Sequence, residues 1–104
     1  MIISVNKIYD FYELYNSSWG GAIKNLDMIK YFEYIGQIKL NDFCNYLNDI
    51  IKDSFNGLID RTKLNDLIWF EDYIIEEFLN EYNINKLNNN YEEWFEIYNN
   101  NTNK

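Results

Sequence analysis

The stretch DFCNYLNDIIKDSF, residues 42–55, separates into two faces when wound at about 100° per residue. Phe43, Tyr46, Leu47, Ile50, Ile51 and Phe55 fall on one half of the wheel. Asp42, Asn45, Asn48, Asp49, Lys52 and Asp53 fall on the other. This is the cleanest amphipathic pattern in the chain, and it predicts a helix at the centre of a helical core.

Outward from it, helical spacing recurs almost everywhere. Val5, Ile8, Tyr12 and Tyr15 predict a first helix near residues 5–16. Ala22, Leu26 and Ile29 predict a second, capped by Ser17 or Ser18 and running to about Tyr34, where Gly36 ends it. Gly20, Gly21 and Ala22 are expected to pack closely beneath Trp19. Asn41, or a residue just before it, starts the central helix, and Gly57 suits the left-handed position that closes it. Thr62 is expected to cap a short helix over KLNDLIWF. In the next helix Ile74, Ile75, Phe78, Leu79 and Tyr82 crowd into an arc of about 140°, opposite Asp72, Glu76, Glu77 and Glu81. NINKLNNN reads as a linker, and Asn90 as the cap of a last helix, YEEWFEIY. There Tyr91, Trp94, Phe95 and Tyr98 face inward, with Glu92, Glu93 and Glu96 outward. The expectation is an all-α domain over residues 1–104, with five to six short helices and a frayed tail at 99–104. Its core is rich in Phe, Tyr, Trp and Ile. A short N-terminal strand from MIISV is the alternative to a purely helical reading.

Composition bounds the function. Of 104 residues, 47% are hydrophobic and 19% aromatic, which argues for a packed globule. Asn, Ile, Lys and Tyr contribute 18, 15, 8 and 10 residues, a bias expected of AT-rich coding rather than of structure. The lone Cys44 excludes an internal disulfide and is expected to be inert core in a reducing, cytoplasmic setting. No apolar run reaches the roughly 18 residues of a membrane span, and MIISVNK lacks the pattern of a signal peptide. Without histidine, no nucleophile–histidine pair can form, and 104 residues of short helices rarely form the deep cleft a carboxylate glycosidase needs. The chain is therefore expected not to be an enzyme. No cofactor or metal is expected either. Asp60–Glu71 has the length of a calcium loop, but Leu64 and Asn65 stand where a ligand and the obligatory glycine belong. SSWGGAIK has the wrong spacing for a phosphate loop.

The unusual feature is charge. Residues 1–65 carry eight acids and seven bases, whereas residues 66–96 carry nine acids and one base, Lys86. The total is −8, which disfavours direct contact with nucleic acid or an anionic membrane. Asp72 and Glu76, Glu77 and Glu81, and Glu92 and Glu96 are like-charged pairs four residues apart, each unfavourable by a few tenths of a kcal/mol. Helices can be acidic merely for solubility. The alternative is a surface meant for a basic partner. Carboxylates one turn apart lie about 5–6 Å from each other, comparable to successive phosphates on a strand. On that reading Asp72, Glu76, Glu77, Glu81, Glu92, Glu93 and Glu96 make the contacts, with Tyr73, Tyr91 and Trp94 as anchors.

Two phrases, WGGAIKNL at 19–26 and LNDLIWFEDYIIEEFL at 64–79, resemble small acidic proteins of phages and mobile elements of low-GC bacteria. Trp19, Gly21, Ala22, Asn65, Asp66, Trp69 and Phe70 carry the likeness over roughly residues 19–80. The chain departs from it at Asn80, where a glycine is expected, and in its Asn-rich tail. The resemblance implies a non-enzymatic inhibitor of the anti-CRISPR or antirestriction kind. Such a DNA mimic would bind a basic, nucleic-acid-handling host defence protein. The alternatives are a helical interaction or homodimerisation module and an antitoxin-like regulator.

Overall fold

The structure, a computed structural model, describes residues 4–84. Within them, five helices and a two-stranded antiparallel sheet follow the order β1 (Ser4–Val5), α1 (Phe11–Asn16), α2 (Gly21–Tyr34), α3 (Leu40–Ser54), β2 (Ile59–Asp60), α4 (Arg61–Phe70) and α5 (Asp72–Glu81). The architecture is mainly α. The helix expected at YEEWFEIY lies outside the described residues.

α3 takes the central place its pattern predicts: Phe43, Cys44, Leu47 and Ile51 are buried, and Tyr46, Ile50 and Phe55 pack at the edges. α2 lies along α4, with Ala22, Leu26, Met28 and Ile29 buried on one side and Leu64, Leu67 and Ile68 on the other. The core is built of Phe, Ile and Leu; no tyrosine or tryptophan among the described residues is fully buried. Tyr15, Tyr31, Tyr46, Tyr82 and Trp69 instead sit half-buried around it, where their polar atoms can still find partners.

The first helix is shorter than expected. Ser4↔Asp60 and Val5↔Ile59 pair as strands, and the helix begins only after Asp10, which caps α1 through its carboxylate. Phe11 and Leu14 form the buried face, leaving Tyr12 outside. The apparent period from Val5 to Tyr15 therefore mixes strand and helix residues. Ser17 and Ser18 do not cap α2. Their hydroxyls donate to the Glu13 and Leu14 carbonyls at the end of α1, and Gly20 precedes α2 with φ +63°. The ring over Gly20 and Gly21 is that of Trp69, not Trp19. Asp60 rather than Thr62 caps α4, its Oδ1 accepting from the Thr62 amide at 2.7 Å.

Three asparagines carry structure that composition alone did not suggest. Asn48, on the nominally outer side of α3, grips Ile8: its Oδ1 accepts from the Ile8 N–H at 2.7 Å and its Nδ2 donates to the Ile8 carbonyl at 2.9 Å. Asn65, fully buried, holds the Trp19 backbone the same way at 3.0 and 3.3 Å. Asn25 donates to the Ile68 carbonyl at 2.7 Å, satisfying an acceptor near the end of α4. Asn48 and Asn65 thus supply partners to backbone groups outside helices and strands, and Asn25 does so for the last turn of α4.

Candidate functional site

α4 ends and α5 begins at Glu71, for a reason legible in the pattern. An unbroken helix would place Glu71 on the stripe of Leu64, Leu67, Ile68, Ile75 and Phe78 at about 100° per residue. Breaking there leaves Glu71 exposed and lets both segments bury their apolar faces.

On α5, Ile74, Ile75, Phe78 and Leu79 are buried. The Phe78 ring meets Phe43 edge-on at 5.1 Å and Tyr46 at 5.6 Å, locking α5 to α3. That leaves Tyr73, Glu76, Glu77, Asn80 and Glu81 exposed on one arc of about 140°. Among the described residues, no base is paired with Glu76, Glu77 or Glu81. Of the other residues singled out from sequence, Asp72 opens α5, and Glu92, Glu93 and Glu96 lie outside the described residues, as do Tyr91 and Trp94.

The structure adds a second stripe. On α3, Asp42, Tyr46, Asp49 and Asp53 fall within about 60° of one another. Tyr46 Oη donates to Glu77 Oε2 at 2.9 Å, and Tyr82 Oη donates to Asp42 Oδ2. These two contacts run the stripes antiparallel and fuse them into one face carrying Asp42, Asp49, Asp53, Glu76, Glu77 and Glu81. Lys52, the base of α3, falls on the side of its stripe away from α5. Summing charge over residues 1–65 hid this stripe, because lysines elsewhere in the sequence cancel its aspartates. The spacing 42, 46, 49, 53 was the signal that could have found it.

The tyrosines respond to that field. Burial, the bond to Glu77 and the nearby Glu77 and Glu81 charges all push the Tyr46 phenol well above its ordinary value. The bond to Asp42, then burial and the Asp42 and Glu81 charges, push Tyr82 up to about 12. The fold thus holds a proton that an unfolded tyrosine would release near about pH 10. Stability from Tyr82 is fully present below about pH 10 and falls as pH rises toward about 12. Tyr82→Phe should therefore flatten the loss of urea resistance between pH 9 and 11. Equal slopes in mutant and wild type would contradict this.

No cluster of three or more metal-ligating side chains occurs among the described residues. Cys44 is buried, and burial, with the Asp10 charge adding, raises its thiol to about 11, so little thiolate exists at neutral pH. No helix among the described residues is long and apolar enough to cross a membrane. No protein-family model, curated protein or solved structure matches the chain.

Proposed function

We propose that this protein is a non-enzymatic inhibitor that occupies a basic, nucleic-acid-handling groove on a partner protein. The anionic α3–α5 face is its contact surface. One observation carries the reading: Glu76, Glu77 and Glu81 share an exposed face of α5 with Tyr73, and no base among the described residues neutralises them. A helix face evolved for solubility alone gains from interspersed lysines, and this one has none. Tyr73, about half exposed, supplies an aromatic anchor beside the acids. The likeness of residues 19–26 and 64–79 to small phage proteins points to a host defence effector of the CRISPR or restriction kind, with the protein acting in the host cytoplasm.

Binding through such a face is screened by salt and competes with the nucleic acid it imitates. Capture of the partner on immobilised protein should fall steeply between 0.05 and 0.5 M NaCl, and duplex DNA or structured RNA should displace it. Retention of an uncompeted partner at high salt would count against the reading.

A second reading rests on a different observation. Tyr9, Tyr34 and Phe70 are all more than 60% exposed, a large aromatic area for a small protein. Self-association through these rings would give a dimer that persists in high salt. Light scattering at two salt concentrations separates the two readings.

A further inference from the structure

Arg61, the chain's single arginine, is held without a counter-ion. Its Nη2 donates to the Leu14 carbonyl at 3.3 Å and to the Ser17 and Ser18 hydroxyls at 2.9 Å each. Its Nε donates to Ser17 Oγ at 3.3 Å, and the guanidinium lies over the Trp19 ring at 5.7 Å. Every one of these partners is neutral. Nη1 is buried and has no hydrogen-bond partner among the described residues, and no carboxylate there forms an ion pair with the side chain. Burial lowers the guanidinium's proton affinity, the mark of a charge partly removed from water. A cation in that setting favours an anion beside it, and a charge-assisted bond is roughly twice as strong as a neutral one.

Arg61 also lines a groove of about 240 Å³ between the segment leading from β1 to α1 and the start of α4. Val5, Ile8, Leu14 and Leu64 give that groove an apolar lining. We propose that it is a binding site for a small monocarboxylate with an apolar body, the carboxylate facing Arg61 and the hydrocarbon covering Leu14 and Leu64. Size and charge narrow the class. The volume falls below the roughly 300–1,000 Å³ of sites for drug-sized ligands. Asp10 and Glu13 line the same groove beside Lys7, so a second negative charge on the ligand meets like charge. Dicarboxylates and phosphate monoesters are disfavoured accordingly. This site is separate from the acidic α3–α5 face and does not depend on how that face is used.

Hexanoate is a suitable probe, with hexanol as the uncharged control and adipate as the dianion, at matched ionic strength. Trp19 lies against the guanidinium, so tryptophan fluorescence reports occupancy, and amide chemical shifts of Leu14, Ser17 and Arg61 locate it. Saturable hexanoate binding is expected with a Kd on the order of 1 mM, the range set by a few heavy atoms at ordinary ligand efficiency. Hexanol and adipate should bind at least several-fold more weakly. Arg61→Gln should weaken hexanoate roughly tenfold. Glu13→Lys, at an exposed position that leaves the core untouched, should tighten it severalfold. Equal binding of hexanol, an unchanged Kd in Glu13→Lys, or no saturable shift at Leu14, Ser17 and Arg61 would overturn the proposal.

Discussion

Gly20→Ala is expected to destabilise the protein by roughly 4 kcal/mol, a large share of a total stability of order 5–15 kcal/mol and enough to leave a domain at the low end of that range only marginally folded. Two separate costs combine. Gly20 has φ +63° and ψ −139°, a backbone state that L side chains rarely adopt, worth about 1–3 kcal/mol when forced. A Cβ there would also stand 2.5 Å from Cη2 and Cζ3 of Trp69, and overpacking of that kind costs about 1–3 kcal/mol. The indole cannot simply swing away: its ring stacks on Phe70 at 4.6 Å and is packed against the core. Trp69→Leu removes the clash but not the strain. In the double mutant the alanine should therefore cost only about half as much as in the wild type, a coupling that a double-mutant cycle isolates. Urea unfolding followed by circular dichroism measures all four proteins. A Gly20→Ala midpoint equal to wild type, or strict additivity with Trp69→Leu, would show that the indole does not sit on the glycine turn.

How far the sequence could carry these conclusions varied with the range of the forces involved. α3 and α5 were legible because their apolar periods reflect burial, which operates residue by residue along one helix. Gly57, with φ +86°, took the left-handed position its place in FNGLID implied. The short strand read from MIISV is present at Ser4–Val5, but the first helix was started too early because Val5 and Ile8 are apolar for different reasons. One belongs to a strand pairing with Ile59, and the other is held by Asn48, forty residues away. No local pattern reveals such partners. Gly20 and Gly21 announced a close approach, but the approaching group, Trp69, lies 48 residues further on from Gly21 and could not be told from adjacent Trp19. The acidic face was half legible. The α5 arc followed from its period, whereas the α3 stripe needed the Tyr46–Glu77 contact to show that the two belong together.

The second large effect concerns that face. Glu76, Glu77 and Glu81 are exposed, and Glu77's one described hydrogen bond comes from Tyr46. Changing all three to lysine moves the local charge by six units without touching Ile74, Ile75, Phe78 or Leu79, so the fold should persist. Each reversal removes an attraction worth up to about 1 kcal/mol at an exposed rim and installs a repulsion of similar size. Together they should weaken binding to a basic groove roughly a hundredfold or more. A parallel triple change on α1, α2 and α4, with Glu13, Glu33 and Asp66 changed to lysine, shifts net charge equally and should leave most binding intact.

Affinity of the wild type and these two charge-matched triple variants for the captured partner, compared in one low-salt buffer, is the most direct measurement. Only the Glu76, Glu77 and Glu81 variant should lose the partner. If both variants bind as the wild type does, or both lose binding to the same degree, the α5 face has no particular part in recognition and the proposed mimicry is wrong.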